Sequence, residues 1–128
     1  MGLDQYAYVA SQAKSWDNSR EICYWRKHPN LQGWMEALWL EKLHNQGIRP
    51  EESEWGSSFN GVELELTWDD IDRLEQDIQS GHVANLQTVG FFFGNPADDH
   101  FRDRDLEFVK NARAELFMGL RVFYNSSW

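Results

Sequence analysis

Residues 21–35, EICYWRKHPNLQGWM, set Arg26, Lys27 and His28 side by side, with Tyr24 and Trp25 before them and Trp34 shortly after. Those residue types suit an anion. A guanidinium offers a planar fork to phosphate or carboxylate, and an aromatic ring can stack on a base or on the cation itself. A helix starting near residues 30–33 would add backbone N–H donors aimed at the same place. A second reading stands beside this one. The three bases can instead pair with the protein's own acids, those of residues 63–72 or of 98–105, and neutralise them.

A second constellation is Asp98, Asp99 and His100 with Asp103 and Asp105. Carboxylates and imidazole are ligands for hard or borderline cations. The spacing fits no EF-hand loop, and Arg102 and Arg104 are interleaved, which favours local ion pairs over a metal. On a helix Asp99 and Asp103 share a face. Cys23, with His28 and His44 available, could be imagined as a nucleophile, but a cysteine between Ile22 and Tyr24 in a strand reads as a small core residue. Ser57-Ser58 lacks a nucleophile-elbow context, and GFFFG (90–94) lacks the Lys and Ser/Thr of a phosphate loop. The candidate ligand-binding set is therefore Tyr24, Arg26, Lys27, His28, Trp34, Asp99 and Asp103. No catalytic residue, metal site or cofactor is expected.

Charge narrows the partners. The net charge is −9, and it is uneven: residues 1–50 sum to +1, 51–81 to −9 and 82–128 to −1. Backbone binding of nucleic acid works by Lys and Arg displacing counterions, so this balance argues against it, while mimicry of nucleic acid by the acidic segment stays open. A host or phage protein meeting the acidic 51–81 surface is the partner this pattern suggests. No run of about 18 apolar residues exists to span a membrane. The first residues, MGLDQYAYVASQAK, carry no basic region followed by an apolar one, and the single cysteine forms no internal disulfide. The expectation is a reducing cytoplasm.

Elements must position these groups. LDQYAYVA (3–10) and REICYWR (20–26) read as strands, the second placing Ile22, Tyr24 and Arg26 on one face and Cys23 and Trp25 on the other. Pro29 ends that ladder and pushes His28 off helical angles. Leu31, Trp34, Met35, Leu38, Trp39 and Leu43 recur at helical spacing, and Gly47 suits the helix end. Residues 48–61 read as a loop anchored by Trp55 and Phe59. VELEL (62–66) alternates as a strand with Glu63 and Glu65 outward. Thr67 with Asp70 opens a helix carrying Ile71, Leu74 and Ile78, and Gly81 stops it. VGFFFG (89–94) is a buried strand or packed loop. Asn95, Pro96 and Asp98 start a last helix running to about Met118, with Phe101, Leu106, Val109, Arg113, Leu116, Phe117 and Leu120 along its inner side. LRVFY (120–124) closes as a strand. This order predicts a single α+β domain over 1–128, a small, largely antiparallel sheet with about three helices packed on one face.

GLDQYAY at the start, YWRK followed by GWM, GFFFG before an acidic stretch ending RDLE, and YNSSW at the end together resemble a family of small uncharacterised proteins of bacteriophages and prophages. The resemblance touches both ends and the middle of the chain. It implies a phage-encoded accessory protein made in the infected cell, with no established activity. Gln32 stands where that family carries His, so a role for that histidine does not carry over. Two functions follow: a non-enzymatic binding protein for a protein partner or a small anionic ligand, or a small enzyme acting on a phosphate- or nucleotide-like substrate. The enzyme needs Arg26 and an Asp of 98–105 in one cleft.

Overall fold

The computed structural model describes residues 3–10, 20–52, 59, 61–83 and 102–127. Four strands, β1 (Asp4–Ala10), β2 (Arg20–Arg26), β3 (Leu64–Leu66) and β4 (Arg121–Ser127), form one sheet in the order β2-β1-β4-β3. Every neighbouring pair is antiparallel, from Asp4 opposite Arg26 and Ser127 to Leu66 opposite Val122. Three helices, α1 (Pro29–Asn45), α2 (Trp68–Gln79) and α3 (Arg102–Phe117), complete the α+β fold. All three send apolar side chains into one cluster with Ala7, Val9, Trp25, Leu64, Leu66, Val122 and Tyr124. The opposite sheet face carries a small second cluster of Tyr8, Ala10 and Phe123.

Alternation decides which side chains go in. Gln5, Ala7 and Val9 of β1 and Val122, Tyr124 and Ser126 of β4 are buried on the helix side. In β2 the register slips: Ala7 faces Cys23 but Tyr8 faces Glu21, so Ile22 is an extra residue. That bulge corrects the simple alternation. Trp25 and Cys23 do face the core, and Ile22 packs against the same core instead of lying on the Tyr24 face.

The helices end as their sequences ask. The six-residue stripe of α1 from Leu31 to Leu43 is buried throughout. Gly47 takes φ 71°, its N–H donates to His44 O, and Ile48 N–H donates back to Leu43 O. This left-handed step uses the last carbonyls and drops Ile48 against the core. Thr67 and Asp70 form a reciprocal capping box at the start of α2. β3 is shorter than VELEL, but Val62, Leu64 and Leu66 are buried while Glu63 and Glu65 are half-buried on the other side.

α3 differs from expectation in its inner face. Asp105, Phe108, Val109 and Ala112 are the buried positions, with Leu106 and Leu116 at the margin, while Phe117 is 83% exposed. Phe117 lies five residues past Ala112, about 140° away around the helix, so its apolar character could not bring it in. The expected helix start at Asn95-Pro96, the VGFFFG stretch, Trp55 and Phe101 lie outside the described residues.

Candidate functional site

The cluster of bases at the end of β2 is split by the fold. Arg26 and Lys27 are exposed, whereas His28 is buried. Lys27 takes φ 57°, a left-handed angle that turns the chain inward, and its N–H donates to Leu3 O at 2.8 Å. His28 then occupies the position before α1. Its peptide is held on both sides by one side chain: His28 N–H donates to Gln5 Oε1 at 2.9 Å, and Gln5 Nε2 donates to His28 O at 3.0 Å. The Gln5 amide thus imitates a strand neighbour exactly where Pro29, lacking an N–H, prevents further ladder pairing.

From there a closed polar network runs through the core. His28 Nε2 lies 2.8 Å from Asp105 Oδ2, and Trp25 Nε1–H donates to Asp105 Oδ1 at 2.8 Å. The side chains of His28 and Asp105 are 5% and 4% exposed. Gln5 Nε2 also donates to the Tyr124 hydroxyl, which donates to Gln32 Oε1 at 2.6 Å. Burial, foremost, drives the Tyr124 hydroxyl far above the usual phenol range, so it stays a donor. A buried polar set satisfied this fully fixes how β1, α1, α3 and β4 meet, since each lost partner leaves an uncompensated group in a low-dielectric interior. The same closure keeps His28 and Asp105 from an external substrate.

The other expected site residues are dispersed. Tyr24 and Arg26 do share the helix-free sheet face, where the Tyr6 and Tyr24 rings stand 5.1 Å apart and Tyr24 OH donates to Asp4 Oδ1. Trp34 is in the core with its Nε1–H donating to Asp77 Oδ2 at 2.7 Å. Asp103 is exposed in the first turn of α3, and Asp99 lies outside the described residues. Between the edge strand β2 and α3 runs a cleft of about 250 Å³, lined by Ile22, Cys23, Tyr24, Arg104, Glu107, Phe108 and Asn111. Arg26 and Asp103 are not in its lining, so this cleft does not join the pair an anion-processing enzyme would need. Burial pushes the Cys23 thiol up to about 12, which leaves it protonated and a poor nucleophile. Among the described residues no three His, Cys, Asp or Glu side chains gather to hold a metal, and no helix is long and apolar enough to cross a membrane.

The acidic middle segment is less bare than its sum. Lys42 Nζ binds Asp70, Arg113 binds both Asp72 and Glu75, and Arg121 binds Glu65 through two nitrogens. Three bases from outside residues 51–81 therefore pair with four of the ten acids that the segment carries. Glu63 is engaged by Tyr8 OH, and Arg73 of the segment itself turns to Glu41.

Gln5 and Tyr124 were not singled out by sequence reasoning, and Asp105 stood out only as a member of the 98–105 acid cluster, not as a core partner of His28 and Trp25. Alternation does mark Gln5 and Tyr124 as inward, and Asp105 precedes Phe108 and Ala112 by three and seven on one helical stripe. A polar residue on an apolar stripe was the available signal. No family model matches the chain, and neither a curated protein nor a solved structure does.

Proposed function

We propose that this chain is a non-enzymatic binding protein, a phage-type accessory protein acting in the host cytoplasm, which meets a protein partner through the β2 side of its sheet. One observation carries the reading. The side chains best suited to chemistry, His28 and Asp105, are spent on each other and on Trp25 inside the core. What remains accessible is recognition chemistry: the Tyr6–Tyr24 pair, with Tyr6 36% exposed, flanked by the exposed Arg26 and Lys27. Tyrosine and arginine are the residue types that anchor protein interfaces, because each buries much area while keeping a polar end. The resemblance of the terminal and YWRK blocks to phage proteins supports the cellular setting.

The test combines ligand screening with position-specific cross-linking. A thermal-shift panel of nucleotides, sugar phosphates and polyanions is expected to leave the melting temperature unchanged. A photo-reactive phenylalanine analogue at Tyr6 should give a discrete cross-linked product in cells, and the same group at Glu36, on the far side of α1, should not. A compound that stabilises the wild type but not Arg26→Leu, and whose phosphorus resonance changes on incubation with the protein, would establish the small-enzyme reading instead.

A further inference from the structure

Among the described residues β2 is an edge strand: β1 pairs with one side of it, and Ile22, Cys23 and Tyr24 line a cleft that β2 shares with α3. The direction of its backbone groups is fixed by one contact. Arg104 Nη1–H donates to Tyr24 O at 2.9 Å, so that carbonyl points toward α3 and away from β1. In an antiparallel pair a residue's N–H and C=O point to the same side, and the next residue's point to the other. Tyr24 and Arg26 therefore turn their backbone groups to the side away from β1, and the bulge at Ile22 ends this alternation on the other side of Tyr24. The cleft floor is apolar, from Ile22, Cys23 and Phe108, and its wall is polar, from Arg104, Glu107 and Asn111. At about 250 Å³ it is smaller than the ~300–1,000 Å³ pockets that enclose drug-sized ligands, and of a size for side chains.

Charge selects among peptides. In a chain of net −9, the end of β2 collects Arg26 and Lys27, with Arg104 reaching Tyr24 beside them. Among the described residues neither Arg26 nor Lys27 makes an ion pair, and Glu107 is the one acid lining the cleft. Arg20, at the other end of the strand, is taken by Glu115.

We infer that the groove between β2 and α3 receives an extended acidic peptide of a partner protein, which adds to β2 as a further strand. Its backbone exchanges hydrogen bonds with the edge of β2, displacing Arg104 from Tyr24 O. Its inward side chains cover Ile22, Cys23 and Phe108, and its carboxylates meet Arg104, Arg26 and Lys27. Strand addition of this kind takes affinity from main-chain bonds and selectivity from alternate side chains. The inference rests on the reading of the chain as a protein-binding module and names the partner chemistry and the edge it uses.

The experiment uses the ¹⁵N-labelled full chain and three fluorescent heptapeptides: alternating glutamate–valine, alternating lysine–valine, and the glutamate form N-methylated at alternate amides. The glutamate peptide should shift and protect the amides of Tyr24 and its β2 neighbours, and bind at least tenfold tighter than the lysine peptide. N-methylation should abolish binding. Arg104→Glu should weaken binding at least tenfold with an unchanged melting temperature, and Glu107→Lys should strengthen it. Equal binding of the acidic and basic peptides, retention by the N-methylated form, shifts confined to Tyr6 and Asn125, or no binding at millimolar peptide would each overturn the inference. A Tyr6 cross-link that persists beside any of these results would leave the protein-binding reading standing and remove only the β2 edge.

Discussion

Asp105 ties β2 and the start of α1 to α3 from inside the core. Its two oxygens serve two N–H donors from different elements, Trp25 of β2 and His28 before α1. Asp105→Asn keeps the shape but replaces one acceptor by a donor, so one of these N–H groups loses its partner. The expected cost is about 1–3 kcal/mol in urea unfolding, the penalty of one unsatisfied buried group. Trp25→Phe, which removes the indole N–H as well, should recover part of that loss in a double-mutant cycle. Cys23 gives a second test at this scale. A thiol pushed up to about 12 holds on the order of a hundredfold to a thousandfold less thiolate at pH 8 than an ordinary one, so disulfide reagents should label it far more slowly in native protein than in urea. The sequence made His28 and its neighbours conspicuous, but it could not say that Lys27 would turn left-handed and send His28 inward while leaving Arg26 outside. That depends on Leu3 and Gln5, more than twenty positions away.

Elements were the most legible scale, because their signals are local. The α1 stripe, the Thr67–Asp70 box and the glycine stop after α1 each rest on residues within one or two turns of one another. The bulge at Ile22 was not legible, since a register slip is a property of two strands and one sequence pattern fits either pairing. The α2 start carries a pH dependence. Burial alone would raise the Asp70 carboxyl, but Lys42 Nζ at 2.6 Å, with Thr67 N–H and hydroxyl, overcomes this and holds it below the ordinary value. A carboxyl lowered by folding stabilises the native state above its unfolded pKa near 4 and loses that contribution as pH falls through its folded pKa. Asp70→Asn should therefore be less stable by about 1–2 kcal/mol at neutral pH, the scale of one charged hydrogen bond, and should lose less on acidification below pH 4. Denaturant midpoints at pH 7 and pH 3 for both proteins check this.

For the whole molecule, the charge sums of the sequence mislead because ion pairs cross elements. Residues 51–81 sum to −9, yet Lys42 of α1, Arg113 of α3 and Arg121 of β4 all reach into that segment. Arg113 joins α3 to α2 through Asp72 and Glu75 together, and is itself partly exposed. Arg113→Gln should cost about 0.5–1 kcal/mol at low ionic strength, and the difference from wild type should shrink in 0.5 M salt. The sheet order has a consequence of another kind, in time. The central ladder joins residues 4–10 to 121–127, so each of its contacts closes a loop of more than 110 positions. Such closures are slow, and helices and the β1–β2 hairpin can form long before them. During synthesis β1 can pair with β2 early, but its partner on the other edge, β4, is made more than 110 residues later. For that interval the β4-facing edge of β1 is open to chaperones and to stray strand pairing.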